Sequence, residues 1–177
     1  MRRHLTAFAA LALAGSTLFV TQSANAAAAA PRTASVATPP LSPLRTNVHY
    51  PRVAWSGDTV VYTIYTKNVG QWSTDIAYIG GYVPSQARRV QITGPSGSYC
   101  EADGREVGCL LDRLRPGRTV AVKVKIWLRN SARGTATARF ASASIDVPAG
   151  GIDTLNIHGI DTGVDLKFVT VKTRIRR

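Results

Sequence analysis

The sequence predicts an all-β protein: an antiparallel sandwich of two sheets in a single domain, with a disordered N-terminal tether and extra C-terminal strand material. Alternating apolar and polar residues recur in segments of strand length, and Gly, Pro, Asp and Asn punctuate them. No segment carries a helical period and no internal repeat is present.

The cationic start, Met1 to His4, runs into an apolar stretch from Leu5 to Val20 that is too short and too Ala-rich for a membrane span. It reads as an export signal, with small residues Ala24 and Ala26 placing cleavage after Ala26. Arg2-Arg3 fits a twin-arginine signal, but Thr6 stands where that signal prefers an apolar residue, so general secretion is expected. Residues 27–46 are mostly Ala, Pro, Thr and Ser, which makes them an extended linker with nothing to pack. The sandwich is expected over residues 47–145, followed by an extension over 146–177.

The stretch "GDTVVYTIYTKN" puts Val60, Tyr62, Ile64 and Thr66 on one face and Val61, Thr63, Tyr65 and Lys67 on the other, and the first set is expected inward. "TVAVKVKIWLRN" alternates more cleanly. Val120, Val122, Val124, Ile126 and Leu128 share a dry side, opposite Ala121, Lys123, Lys125, Trp127 and Arg129. The two aliphatic sides are expected to face each other across a dry interlayer that leaves no room for a reactive centre. Between them lie "DIAYIGGYVP", "RRVQIT" and the segment from Cys100 to Cys109; "GTATARFASAS" follows. Turn chemistry at Asn68-Val69-Gly70, Gly94-Pro95, Arg115-Pro116-Gly117 and Asn130 to Gly134 separates these strands. In the extension, Leu166 to Ile175 reads as a further strand at a sheet edge, where its Lys and Arg would discourage edge-to-edge pairing.

Cys100 and Cys109 are the only cysteines, and an even count in an exported chain predicts a disulfide. A hairpin centred on Asp103-Gly104 would set Cys100 against Val107. Direct opposition of the cysteines centres the turn on Gly104-Arg105 instead, and the disulfide favours this register or a wider loop.

The chain carries a formal charge of +12. Without residues 1–26 it retains 20 basic and 10 acidic side chains, a net +10. Outside the cell such an excess selects teichoic acids, acidic glycans or lipid head groups rather than nucleic acid, or serves solubility alone. No membrane span is expected in the mature chain. Lys123, Lys125, Trp127 and Arg129 form an outward stripe in which an aromatic ring among cations suits a charged glycan. Alternatively, Trp127 packs under the C-terminal extension with the Lys stems covering it. Lys172, Arg174, Arg176 and Arg177 form a basic tail that could join such a site.

Little else suggests chemistry. His49 and His158 are the only histidines after the signal, and no nucleophile elbow, zincin motif or phosphate-cradling loop is present. "GPSGS" at 94–98 lacks strand-to-helix context. Asp153, Asp161 and Asp165 with Asn156 could gather around calcium, though solvated loop carboxylates account for them more simply. A hydrolase around His158, Asp153 and Asp161 is the weakest reading.

Taken together, "GDTVVYTIYTKNVG", an Ile-rich strand ending in "YVP", the paired cysteines, "CLLDRLRPGRTVAVKVKIWL" and "GTATARFAS" resemble the bacterial domain of unknown function 11. The resemblance spans residues 47–145. It rests on Gly57-Asp58 with Val60, Tyr62 and Ile64, on Asn68 before Gly70, and on Leu114 two residues before Pro116-Gly117. It departs at Ala138, where the family carries Asn. It implies an immunoglobulin-like sandwich that is secreted or wall-associated and non-catalytic, with a structural or adhesive role, no catalytic residues and no cofactor.

Overall fold

The computed structural model describes residues 41–147 and 166–177. These form ten strands and no helix: β1 (Leu44–His49), β2 (Val53–Trp55), β3 (Thr59–Asn68), β4 (Ile76–Tyr82), β5 (Ala87–Thr93), β6 (Tyr99–Asp103), β7 (Glu106–Asp112), β8 (Thr119–Leu128), β9 (Gly134–Ile145) and β10 (Val169–Arg176). A four-stranded sheet runs β1-β3-β8-β5 and a six-stranded sheet runs β2-β10-β9-β4-β7-β6. The β2–β10 pair is parallel. The remaining pairs are antiparallel, giving an immunoglobulin-like sandwich.

The alternation read from β3 and β8 assigns their faces correctly. Val60, Tyr62, Ile64, Thr66, Val122, Val124, Ile126 and Leu128 are fully buried. Their relation differs from expectation, however. β3 and β8 lie side by side, Tyr62 opposite Val124, and turn their aliphatic sides the same way. The other half of the core comes from Ile79, Val107, Cys109, Ala136, Ala138, Phe140 and Val171 of the six-stranded sheet. Period-2 alternation fixes which side of a strand is dry, but strand pairing is a long-range choice that it does not encode. The Tyr62 ring meets Phe140 across the interlayer at 5.4 Å between centroids.

Two strands precede the expected start of the sandwich or escape notice. β1 begins at Leu44, so the last residues assigned to the linker pair with β3: Leu44 opposite Asn68, Arg45 opposite Lys67 and Thr46 opposite Thr66. The Pro- and Ser-rich flank hides the alternation Leu44, Thr46, Val48, which points inward. β2 has only three residues and no usable period. β10 is not the outermost strand either: β2 covers its end, with Val53, Ala54 and Trp55 opposite Arg174, Ile175 and Arg176.

A saturated polar knot closes one end of the sandwich. Asn68 is fully buried at the end of β3. Its Nδ2 donates to the carbonyls of Trp72 (2.7 Å) and Leu114 (2.8 Å), and its Oδ1 accepts from the Gly70 amide (2.9 Å) and the Ser42 hydroxyl (3.0 Å). Its backbone adds bonds to Arg118 and Gly117. Read from sequence as a turn former, Asn68 instead ties the segment before β1, the β3–β4 loop and the β7–β8 loop to one side chain.

The β6–β7 hairpin adopts the second of the two registers. Cys100 lies opposite Cys109 and Asp103 opposite Glu106, leaving Gly104-Arg105 as the turn. Gly104 takes φ +55°, a conformation that suits glycine at this position. The cysteines are bonded to each other, with Cα atoms 4.1 Å apart. Closing so short a loop contributes about 2.5 to 3 kcal/mol on the chain-entropy account.

Two predictions follow from the interior. Asn68→Ala leaves several buried partners unpaired and is expected to lower unfolding free energy by about 2 to 4 kcal/mol in urea titration, whereas a loss below about 0.5 kcal/mol would refute the knot. The Tyr62 hydroxyl is buried without a bond of good geometry, and burial raises its pKa, offset in part by the Thr173 hydroxyl nearby and augmented by Tyr50. A raised folded-state pKa gives stability that is complete below about pH 10 and is lost as pH climbs above it. Tyr62→Phe is therefore expected to be at least as stable as the parent at neutral pH and to unfold less readily in alkali; equal alkaline midpoints for the two proteins would rule this out.

Candidate functional site

None of the four strands β1, β3, β5 and β8 contains an Asp or Glu. Their outward residues form rows across the sheet: Arg45, Lys67 and Thr119; Asn47, Tyr65 and Ala121; His49, Thr63, Lys123 and Thr93; Val61, Lys125 and Gln91; Thr59, Trp127 and Arg89. At normal strand spacing and rise this surface measures about 27 by 14 Å. It presents five cations, Arg45, Lys67, Arg89, Lys123 and Lys125, with no carboxylate among them. Arg129 continues the same alternation just beyond β8 and is exposed.

At one corner the Arg89 guanidinium lies 4.7 Å and the Lys125 ammonium 4.8 Å from the centroid of the Trp127 ring. The electron-rich ring attracts both cations, each contact contributing about 0.5 to 1 kcal/mol at an exposed site. The ring is thus first a holder of charge and only second a platform for a sugar. Residues 166–177 do not cover it, because β10 belongs to the other sheet.

Of the residues expected to bind, Lys123, Lys125, Trp127 and Arg129 do share one face. Arg89, Arg45 and Lys67 join them from neighbouring strands and were missed, since nothing local links them to β8. Lys172 and Arg174 do not join them. They point outward from the six-stranded sheet, with Val171, Thr173 and Ile175 inward. Cys100 and Cys109 are structural.

The six-stranded sheet carries an acidic groove that sequence reading did not find. Tyr78, Tyr99, Glu101, Asp103, Glu106, Gly108 and Leu110 line a cavity of about 70 Å³. A side chain at Gly108 would meet the Tyr78 ring at 3.2 Å, and one at Gly80 would strike the Tyr78 hydroxyl, so the two glycines let the ring lie against the sheet. Burial and then the Glu106 carboxylate raise the Tyr78 pKa, while Glu101, which accepts a 3.2 Å bond from the Tyr99 hydroxyl, raises that of Tyr99. The interior glycines at 80, 81 and 108 were the available signal.

Other candidates resolve simply. His49 sits on the outer face of β1 with its ring edge to Tyr65 at 5.2 Å. The Ser98 hydroxyl donates to the Pro95 carbonyl within its own turn. Asp153, Asn156, His158, Asp161 and Asp165 lie outside the described residues, as does the signal segment. Among the described residues no group of His, Cys, Asp and Glu could hold a metal ion, and no helix is long and apolar enough to cross a membrane.

No protein-family model matches the chain, and no curated protein matches it. Among solved structures it is similar to a cohesin module from a Clostridium perfringens family 33 glycoside hydrolase, at 10% identity over 76% of this chain and 98% of that one, with a TM-score of 0.50. It is also similar to an uncharacterized protein from Nocardia farcinica with an immunoglobulin-like fold, at 14% identity over 73% and 97% of the two chains and a TM-score of 0.45. At such identities the cohesin likeness speaks to fold alone. The chain is an immunoglobulin-like β-sandwich.

Proposed function

We propose that this chain is an exported, non-catalytic module with a structural or adhesive role at the bacterial cell envelope, held there by contact with an anionic wall polymer or acidic glycan. The observation that carries the reading is the outer face of the four-stranded sheet, where five cations and Trp127 share a surface whose strands contain no carboxylate. Charge on a flat sheet face suits a repeating polyanion better than a small ligand, because successive phosphates or carboxylates can each find a cation along the rows.

The Cys100–Cys109 bond supports an oxidising compartment, in line with the export signal read from residues 1–26. Membership of the bacterial domain of unknown function 11 is part of the same proposal, on the motifs quoted above.

Binding of the chain to purified bacterial cell wall is expected to fall steeply with salt, since exposed charges are screened within about 8 Å at physiological ionic strength. Lys123→Glu with Lys125→Glu is expected to weaken binding about tenfold or more at low salt. Salt-independent binding, or none, would remove the polymer contact and leave only a structural role.

A further inference from the structure

We propose that the module is bivalent: basic, aromatic patches on its two opposite outer faces each take a strand of anionic polymer, so that one copy bridges two strands. This rests on the polymer-binding reading above and extends it from attachment to cross-linking.

The first patch is the corner built by Arg89, Lys125 and Trp127, with Lys123 one row along. The second lies on the other sheet. Trp55 is 54% exposed and Val53 42% exposed, both on β2. The adjoining strand places Arg174 beside Val53 and Arg176 beside Trp55, and Lys172 points the same way. No Asp or Glu occurs in β2, β9 or β10, and the exposed Asp58 carboxylate beside Trp55 is engaged by the Trp55 amide at 2.7 Å. A flat indole with guanidinium groups at its side offers a stacking face for a sugar ring and forked donors for its phosphate or carboxylate.

The two patches do not form one site. Sheets in a sandwich stack back to back about 10 Å apart, so their outer side chains point in opposite directions. The patches are also diagonal, since the first sits on β8 and β5 at one margin of its sheet and the second on β2 and β10 at the other margin, with β1 packed toward β9 and β10. Around the margin where β5 meets β6, Glu101, Asp103, Glu106 and Asp112 line the six-stranded sheet and repel a polyanion. Around the β1 margin a polymer would have to reverse direction over the thickness of the sandwich. Two separate strands meet no such obstacle.

The test titrates the full chain into soluble wall teichoic acid at low ionic strength and, in parallel, into polygalacturonate, which separates phosphate from carboxylate as the recognised anion. With at least one polymer, light scattering should peak at an intermediate ratio and fall in protein excess, as bridging by a bivalent module requires. Lys172→Glu with Arg174→Glu, and separately Lys123→Glu with Lys125→Glu, should each still bind polymer through the remaining face, more weakly than the parent, and when compared at equal bound protein should lose scattering about tenfold or more. Arg113→Glu with Arg115→Glu removes equal charge from the β7–β8 loop and should keep the scattering. Thermal melts check that each variant folds, and the corresponding Gln pairs replace any that does not. Unchanged scattering in either face variant, or equal loss in the loop variant, would overturn bivalency. Binding without scattering by the parent protein would overturn bridging alone, whereas no binding to either polymer would overturn the polymer reading with it.

Discussion

A one-residue slip in the register of β8 would carry Lys123, Lys125 and Trp127 into the interlayer and expose Val122, Val124 and Ile126 to water. Burying two ammonium groups without partners costs far more than any surface contact returns, so the apolar interior holds the strand in a single alignment. The same constraint operates in β3, where Val60, Tyr62 and Ile64 face inward and Val61, Thr63 and Tyr65 face out. The basic surface is therefore a consequence of the core: filling one side of each strand with aliphatic groups forces the cations into a shared plane on the other.

Polar contacts finish what the aliphatic layer begins. The interlayer fixes strand faces but leaves open how the chain enters and leaves the sheets. At the end near Asn68 that decision falls to one saturated amide, which draws Ser42, Gly70, Trp72 and Leu114 together. At the β6 edge of the six-stranded sheet a covalent bond between Cys100 and Cys109 holds the β6–β7 hairpin, whose inward sulfurs border the core and whose outward carboxylates border the Tyr78 groove.

The electrostatic division of the surface follows from this architecture. Charge of both signs is present, but the strand carboxylates are confined to β6 and β7, while the other eight strands carry none. Local potential, rather than the net +12 of the whole chain, decides where an anion settles. Arg89 and Lys125 illustrate the point: at 4.7 and 4.8 Å from the Trp127 centroid, both are drawn to its electron-rich ring.

What the sequence determined by itself was everything with a period of two. It assigned the dry and wet faces of β3 and β8 and the grouping of Lys123, Lys125, Trp127 and Arg129, and it narrowed the Cys100–Cys109 hairpin to two registers or a wider loop, among which the structure chose. These depend on residues a few positions apart, whose directions are fixed by backbone geometry. Only the tertiary structure decided that β3 pairs with β8 instead of facing it, that Leu44 to Thr46 belong to a strand, that Arg45, Lys67 and Arg89 join the basic face, and that Lys172 and Arg174 lie on the opposite one. Each of those outcomes depends on which distant strands share a sheet, a choice made by the packing of the whole interior and by polar ties such as Asn68, for which no local pattern provides a sign.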